Sequence, residues 1–281
     1  DIPSRDEVGM LAASFNKMTQ DLVHYIDHLK TTTAERERMA KELEIAHQIQ
    51  QHFLPSSFPK LGRTQIFGES LPAREVGGDF FDVFRIDSNR VGLVIADVSG
   101  KGVPAAMYMA QCRSMLRITA LSGYGPQKTL ERLNRFLCQD NDECFFVTTF
   151  FGVLDLSSRV LTYANAGHDY PLIYRHATGD IETLPGTGGT ALGIVDDVDY
   201  RTAQVRFYEK DIAFLYTDGI VDALNDLDES FGLPRLRRAI LLSRDLPPDR
   251  LGKAIRQEIR DFVMQTEQFD DITYLIVRFD G

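Results

Sequence analysis

The 281-residue chain has little cysteine, no long apolar run and a deficit of positive charge. Its three cysteines cannot all pair within one chain and match no zinc motif in their spacing, which favours a reducing cytoplasm. No run of about eighteen apolar residues occurs and no signal peptide is recognisable, so we predict no membrane span. With 41 acidic against 31 basic residues, binding to nucleic acid is not expected, because lysine and arginine lead phosphate contacts.

The chain begins at Asp1 inside a repeating pattern, so we expect it to be part of a longer protein. Residues 1–53 place a seam residue at alternating intervals of three and four. The seam positions are Val8, Leu11, Phe15, Met18, Leu22, Tyr25, Leu29, Thr32, Arg36, Met39, Leu43, Ala46, Gln50 and Phe53. This heptad pattern predicts a parallel, dimeric coiled coil, in which the polar positions set the register. The alternative is one helix packed on its own domain, but roughly 75 Å of helix exceeds what one domain covers.

Pro55 and Pro59 end the helical pattern and mark the start of a globular region. Helical stretches are predicted at 103–121, 126–139, 233–243 and 247–265. Apolar runs rich in β-formers are "RVGLVIADV", "CFFVTTFFGVLDL", "RVLTYANAG", "YPLIYRH", "RTAQVRFYE", "DIAFLYTDG" and "DITYLIVRF". Strands and helices do not alternate strictly, which favours an α+β fold. Several runs are apolar on both faces, as expected for two packed sheets with helices outside.

Aspartates stand at the ends of four of these apolar segments, usually beside glycine. They are Asp79, Asp97, Asp218 and the pair Asp270 and Asp271. One such aspartate is ordinary turn chemistry, but carboxylates gathered together repel and need cations. The only basic residues nearby in these motifs are Arg74 and Lys101. Oxygen ligands without a histidine or cysteine cluster favour two Mg²⁺ or Mn²⁺ ions, an arrangement suited to phosphoryl hydrolysis.

The stretch "EVGGDFFDVF", residues 75–84, interrupts an apolar run with two glycines and an aspartate. We interpret the glycines as allowing a close approach of backbone and ligand. Asp79 and Asp82 have opposite strand parity, so only Asp79 is expected to face the metals and Asp82 is interpreted as structural. The two phenylalanines are likewise expected in apolar layers on opposite faces of the sheet.

Three other short stretches resemble known functional motifs but lack residues or elements that those motifs require. "GKG" at 100–102 is not a P-loop, since Ile95 stands where glycine is needed and Gly102 where serine or threonine is needed. "GTGGTA" at 186–191 matches a dinucleotide-binding pattern, but no helix follows it. Ser99 does not lie in a G-x-S-x-G nucleophile elbow. We interpret His168, in a loop rich in glycine and proline, as a packing residue.

Six blocks resemble, in order, the bacterial protein phosphatase 2C-like enzymes of the PPM superfamily, in the sporulation stage II protein E subgroup. The blocks are "REVGGDFFD", "ADVSGKGVPAAM", "NAGHDYP", "FLYTDGIVDALN", "ESFG" and "DDITYLIV". The resemblance covers roughly residues 43–279. "DEVGMLAASFNKMTQDL", residues 6–22, resembles the second helix of a HAMP module. We therefore expect a HAMP-like end at 1–29, a coiled-coil linker at 30–58 and a phosphatase domain at 59–281.

The resemblance implies two antiparallel β-sheets between helices and a two-metal site with assigned ligands. Asp97 is expected to bridge both ions, and the carbonyl of Val98 to help bind one of them. Asp218 and Asp270 are expected to complete the other, with Asp271 as the less certain member of its pair, so that Asp97 and Asp218 are the principal catalytic residues. Two further roles follow from matching positions: Asp79 binds directly or through water, and Arg74 is a candidate for binding phosphate.

The implied activity is hydrolysis of a phosphoserine or phosphothreonine monoester by a metal-bound hydroxide. Ser99 occupies the place of the histidine of eukaryotic relatives, so the general acid is unassigned. Asp222 keeps the charge of a glutamate that is frequent in the family. The expected substrate is a phosphorylated anti-sigma-factor antagonist. The expected setting is the cytoplasmic part of a dimeric inner-membrane sensor, regulated by its N-terminal helix. The alternatives are a pseudophosphatase that only binds a phosphoprotein, and a two-metal hydrolase of nucleotides.

Overall fold

A computed structural model describes residues 7–55, 57–59, 61–139 and 141–280. Residues 1–6, which open the predicted HAMP-like segment, lie outside that description. The chain divides into two compact units, Asp1–Gln48 and Ile49–Gly281. Within the described part of the chain, no helix combines the length and apolarity needed to cross a membrane.

The first unit consists of most of helix α1, Glu7–Phe53. Its large apolar side chains are mostly exposed; Leu11, for example, is 71% exposed. The predicted seam positions with exposed large apolar side chains are Val8, Leu11, Phe15, Met18, Leu22, Tyr25, Leu29 and Met39. An isolated chain therefore leaves this apolar surface in water, which is unusual for a monomer. The helix ends at Phe53, just before the two prolines predicted to stop it.

The second unit contains two five-stranded sheets in which every neighbouring pair is antiparallel. The strands are β1 Thr64–Leu71, β2 Phe80–Arg85, β3 Arg90–Val98, β4 Val147–Asp155, β5 Val160–Ala166, β6 Leu172–Tyr174, β7 Ile181–Thr183, β8 Ala203–Arg206, β9 Ile212–Tyr216 and β10 Ile272–Phe279. The first sheet has the order β1-β10-β9-β6-β7 and the second the order β2-β3-β4-β5-β8. The sequence patterns of β1 and β7 did not predict them as strands.

Five further helices cover the sheets: α2 Val103–Leu121, α3 Pro126–Cys138, α4 Asp218–Val221, α5 Gly232–Ser243 and α6 Pro248–Val263. The four longer ones agree with the predicted helical stretches to within two residues at each end. Proline lies in the first turn of α2, α3 and α6, where its missing N–H costs no hydrogen bond. The short helix α4 was not predicted, and it places Asp218 at a helix start rather than at a strand end.

Three apolar layers hold the second unit together. One lies between the second sheet and α2 and α3 and contains Phe80. The central layer lies between the sheets and contains Phe81, and the third packs α5 and α6 on the first sheet. The two adjacent phenylalanines therefore enter opposite layers, as the strand parity predicted. The α+β prediction of two packed antiparallel sheets flanked by helices is confirmed.

Candidate active site

The predicted aspartates approach one another from four segments of the second unit. Asp79 precedes β2, Asp97 is the penultimate residue of β3, and Asp218 begins α4 directly beyond β9. Asp270 and Asp271 immediately precede β10, which lies next to β9 in the first sheet. The sheets are stacked, so these segments reach a common edge although about 190 residues separate the first from the last.

The carboxylates of the cluster affect one another's ionisation. Burial raises the pKa of Asp79 well above its usual value, and the charges of Asp97 and Asp271 raise it further. Burial also raises the pKa of Asp97 to about 7, with an added contribution from Asp218. The pKa of Asp218 is raised by burial and then by Asp270. Ionising all of these groups together is therefore unfavourable without added positive charge.

Asp79 is held by a threonine that the sequence reasoning did not single out. The Asp79 carboxylate is buried and accepts a hydrogen bond of 2.7 Å from the Thr217 hydroxyl. The Thr217 hydroxyl oxygen in turn accepts the N–H of Thr273 at 3.1 Å, and Thr217 is itself fully buried. The first sheet thus fixes the orientation of Asp79. The only signal in the sequence is the position of Thr217, directly before Asp218.

The glycines before Asp79 permit two close approaches. A Cβ atom on Gly77 would collide with the Asp271 carboxylate, and one on Gly78 would lie 2.6 Å from the Val98 carbonyl oxygen. A residue with a side chain at position 77 or 78 would therefore push the Asp271 carboxylate or the Val98 carbonyl away. Both glycines are buried, and the carbonyl of Val98 faces this segment. The sequence-based interpretation of close backbone approach agrees with the structure.

Asp270 and Asp271 have different surroundings. The Asp271 carboxylate accepts backbone N–H groups of Ala73 and Gly78, each at 2.8 Å, and of Asp79 at 3.4 Å. It therefore holds the loop that carries Asp79. Asp270 bonds only one backbone N–H, that of Asp271 at 2.9 Å, among the contacts of the described residues. The Asp270 carboxylate therefore accepts fewer backbone hydrogen bonds than the Asp271 carboxylate does.

The two cations noted in the sequence also differ. Lys101 Nζ lies 3.2 Å from Asp270 Oδ2 and donates to the Phe269 carbonyl at 2.6 Å. Its charge lowers the pKa of Asp218, so it contributes positive charge to the cluster. Arg74 is exposed on the loop before Asp79 and makes no ion pair with any described residue. The structure therefore couples Lys101, but not Arg74, to the carboxylates.

A cavity of about 300 Å³ adjoins the cluster and is walled by Asp97, Asp218, Asp222, Asp169 and His168 among others. The buried His168 ring places Nε2 3.2 Å from the Tyr216 carbonyl, which can only accept a hydrogen bond. Nδ1 therefore accepts from the Thr148 hydroxyl at 2.8 Å. Burial lowers the pKa of His168 to about 4, so the ring is neutral. These contacts agree with its interpretation as a packing residue.

Asp169 was missed by the sequence reasoning, which considered only its neighbour His168. Burial raises the pKa of Asp169 to about 6, and the charges of Asp218 and Asp222 add to the shift. It belongs to the same acidic wall as the predicted residues. Asp169 lies in a loop directly after His168, and no spacing in the sequence relates Asp169 to the other aspartates.

Asp82 lies away from this cluster, as its strand parity predicted. Its carboxylate is buried and forms ion pairs with Arg113 at 3.0 Å and Arg117 at 3.4 Å, both on α2. Burial raises the pKa of Asp82 and the two arginines oppose that effect. Asp82 therefore links β2 to the helical layer.

The donor set fits hard divalent cations. Carboxylate oxygens and the Val98 carbonyl are the ligand types that Mg²⁺ and Mn²⁺ prefer. Burial first and neighbouring carboxylates second raise the pKa values of Asp79, Asp97 and Asp218, so added positive charge would favour their ionised forms. As the described side chains stand, no three His, Cys, Asp or Glu residues converge closely enough to hold one ion. The argument for divalent cations at this site thus rests on the type of donor atoms and on the negative charge of the carboxylates, which bound cations would balance.

The chain is similar in sequence to a described family and to several known proteins. The model of the family described as Stage II sporulation protein E (SpoIIE) matches residues 87–280. Protein IcfG of Synechocystis is 32% identical over 303 aligned residues, covering 97% of this chain and 46% of that protein. Phosphoserine phosphatase RsbU of Bacillus subtilis is 26% identical over 288 residues, covering 96% of this chain and 83% of that protein. The chain therefore spans about half the length of IcfG.

Solved structures show the same architecture. The SiaA-PP2C domain of Pseudomonas aeruginosa aligns with a TM-score of 0.76 at 24% identity, covering 88% of this chain and 99% of that one. RsbX in complex with magnesium aligns with a TM-score of 0.59 at 16% identity, covering 79% of this chain and 98% of that one. At these identities the likeness establishes the fold alone.

Proposed function

Because the chain belongs to the stage II sporulation protein E (SpoIIE) family, we propose that it is a metal-dependent phosphatase of phosphoserine and phosphothreonine in proteins. The observation that carries the proposal is the gathering of Asp79, Asp97 and Asp218 at one edge of the stacked sheets, where the charge of Asp97 raises the pKa of Asp79 and that of Asp218 raises the pKa of Asp97. Hydrolysis of a phosphomonoester needs water activation and neutralisation of phosphoryl charge, which two divalent cations supply when bound. Manganese and magnesium both suit the donor set.

We assign Asp97 as the bridging ligand, because it interacts electrostatically with carboxylates on both sides of it. The carbonyl of Val98 would help to hold one ion, while Asp218 and Asp270 would help to hold the other. Asp79 binds directly or through water, oriented by Thr217. Asp271 acts through the loop that it holds and is a positioning residue. Lys101 balances part of the acidic charge until cations bind.

The test is release of phosphate from p-nitrophenyl phosphate and from a phosphoprotein, with and without Mn²⁺. Asp97→Asn and Asp218→Asn keep side-chain shape but remove the charge that attracts cations. We expect both variants to lose activity by at least about a hundredfold. Asp245→Asn is the matched control, because its side chain is 84% exposed and lies outside the cluster. Full activity in both cluster variants would refute the two-metal assignment.

We propose a phosphorylated anti-sigma-factor antagonist as the natural substrate. The support is the similarity to RsbU, which is a phosphoserine phosphatase, over 96% of this chain. Turnover of such a phosphoprotein should exceed that of nucleoside monophosphates at equal concentration. Faster turnover of nucleotides would instead indicate a nucleotide hydrolase. Tight binding of the phosphoprotein without release of phosphate under Mn²⁺ would indicate a pseudophosphatase.

We propose that α1 joins two copies of the chain as a parallel coiled coil and regulates the phosphatase domain. The exposed apolar side chains of the seam support dimerisation, since pairing would bury them. In the second unit, the buried Gln50 side chain donates to the Gly77 carbonyl at 2.5 Å and accepts the Gly77 N–H at 3.1 Å. This differs from the expected seam role of Gln50. The same residue links the end of α1 to the loop that carries Asp79.

Two measurements test the regulatory proposal. Deletion of residues 1–48 should convert a dimer to a monomer in light scattering and should change the phosphatase rate. Gln50→Ala should change that rate with the dimer intact. Unchanged oligomeric state and activity in the deletion would contradict the proposal.

We assign residues 1–29 to a HAMP-like end, 30–58 to the linker and 59–281 to the phosphatase domain of a membrane-anchored cytoplasmic sensor.

A further inference from the structure

A second and larger cavity of about 490 Å³ also adjoins the carboxylate cluster. Asp218 and Asp270 form part of its wall, so the cavity and the proposed metal site share two residues. Leu224, Ile259, Val263 and Ile272 supply aliphatic lining, and the wall also includes the polar residues Arg260, Thr266, Glu267 and Gln268. A volume of this size is within the range of pockets that hold small ligands or parts of larger ones.

The rim of this cavity exposes two large apolar side chains. Met264 and Phe269 are 70% and 73% exposed, among the most exposed large apolar residues of the second unit. Met264 also has φ of 56°, a left-handed conformation that costs energy for a residue with a side chain. Apolar exposure combined with backbone strain at one rim is the kind of feature that accompanies ligand contact.

Specific contacts hold the segment that carries these two residues. The Gln268 amide donates to the carbonyls of Leu71 and Asp270, each at 2.8 Å. Lys101 donates to the Phe269 carbonyl at 2.6 Å, and its ammonium lies 4.0 Å from the centre of the Phe269 ring. The rim is therefore tied to β1 and to the loop after β3. A preformed rim loses less entropy on binding than a free loop would.

We propose that this cavity binds an aliphatic side chain that flanks the phosphoserine or phosphothreonine of the substrate protein. The inference rests on the proposed function, because that function places the phosphoryl group at Asp218 and Asp270. A residue two positions away in an extended peptide lies roughly 7 Å from the phosphorylated one. Its side chain would enter the cavity directly beyond these shared aspartates. The pocket would thus set the local sequence preference of the phosphatase.

The lining favours an aliphatic side chain over a nucleobase. A base is normally bound by an aromatic face together with hydrogen-bonding groups. The wall has polar residues, but the Gln268 amide already donates to two backbone carbonyls, and the aliphatic part of the wall offers no partner for the polar edge of a base. The one aromatic ring in the wall, Phe269, has a face covered by the Lys101 ammonium. Burial of a leucine side chain in such a site corresponds to about a tenfold or greater gain in affinity.

The experiment uses the full chain with Mn²⁺ and a set of synthetic phosphoserine peptides. One leucine is moved along an otherwise polar sequence, and kcat/KM is compared with that of the all-polar peptide. We expect one flanking position to raise kcat/KM about tenfold. Met264→Gly with Phe269→Ala should bring that ratio close to one. Both substitutions are compatible with folding, because glycine tolerates the left-handed backbone and Phe269 is exposed.

The matched control is Leu242→Ala with Tyr208→Ala, which removes two exposed apolar side chains that do not line the cavity. This control should keep the leucine preference. If the wild type hydrolyses all peptides at equal rates, or the rim variant keeps the preference, the pocket inference is wrong while the phosphatase assignment stands. If the wild type prefers nucleoside monophosphates, the aliphatic pocket is also refuted. If it releases no phosphate from any substrate, both proposals fail.

Discussion

Replacement of Asp271 by alanine separates the two adjacent aspartates before β10. Asp271 accepts two short backbone hydrogen bonds, from Ala73 and Gly78, and a longer one from Asp79. Hydrogen bonds to a charged acceptor contribute about 1.5–3 kcal/mol each. Two of them give about 3–6 kcal/mol, and the lower end applies because these contacts are only part-buried. Removal of the charge also relieves repulsion with Asp79, so we expect a net loss of about 2–3 kcal/mol.

The assay is urea unfolding of the metal-free protein, followed by calorimetric titration with Mn²⁺. A loss of this size lowers the urea midpoint by about 0.7–1 M, since typical slopes are about 1–3 kcal/mol per molar urea and large domains have the steeper ones. Asp270→Ala is the control. Its ion pair with Lys101 is partly exposed, with side-chain exposures of 40% and 31%, and such pairs contribute less than about 1 kcal/mol.

The two variants should therefore show opposite patterns. Asp271→Ala should reduce the stability of the metal-free protein, whereas Asp270→Ala should leave it nearly unchanged and weaken Mn²⁺ binding directly. The reverse pattern, with a stable Asp271→Ala protein and an unfolded Asp270→Ala protein, would refute the assignment of Asp271 as the residue that positions the Asp79 loop.

Three other predictions follow from the same site. Gly77→Ala should destabilise the protein and abolish phosphatase activity, because its Cβ collides with a carboxylate; Gly125→Ala, with no atom within 4 Å of the added Cβ, should behave as wild type in both assays. The metal-free protein should be more stable near pH 5 than near pH 8. The raised pKa of Asp97, about 7 against 3.8 unfolded, means that the folded state binds more protons between these values. Between pH 5 and pH 8 this group alone corresponds to at most about 3 kcal/mol, measurable by urea unfolding in EDTA, and equal stability at the two pH values would contradict the raised pKa. Thr217→Val should lower Mn²⁺ affinity and cost about 1–3 kcal/mol, because it removes the hydroxyl that orients Asp79; equal Mn²⁺ titrations would show that this orientation is unimportant.

Elements with strong local signals were predictable from the sequence. Helices α2, α3 and α6 start with proline in the first turn and continue with helical patterns, and β3 and β10 are continuous apolar runs. Strand β1, "TQIFGESL", escaped prediction because glycine and polar residues interrupt it. Its Glu69 lies instead against Tyr274 and Arg256, partners that are about 190 or more residues away. Such pairing leaves no local trace in the sequence.

In the candidate site, too, some features could be predicted from the local sequence and others depend on long-range contacts. Glycine and aspartate beside apolar runs singled out Asp79, Asp97 and Asp218 as candidate metal ligands from residue type and spacing, because those properties are local. The distinct surroundings of Asp270 and Asp271 were not readable, since two identical neighbours differ only in what they meet in space. The approach of the 73–79 loop to β10 gives Asp271 its backbone partners and leaves Asp270 beside Lys101. The parts played by Thr217 and Asp169 likewise arise from the stacking of two sheets, which brings together residues that are remote in the chain.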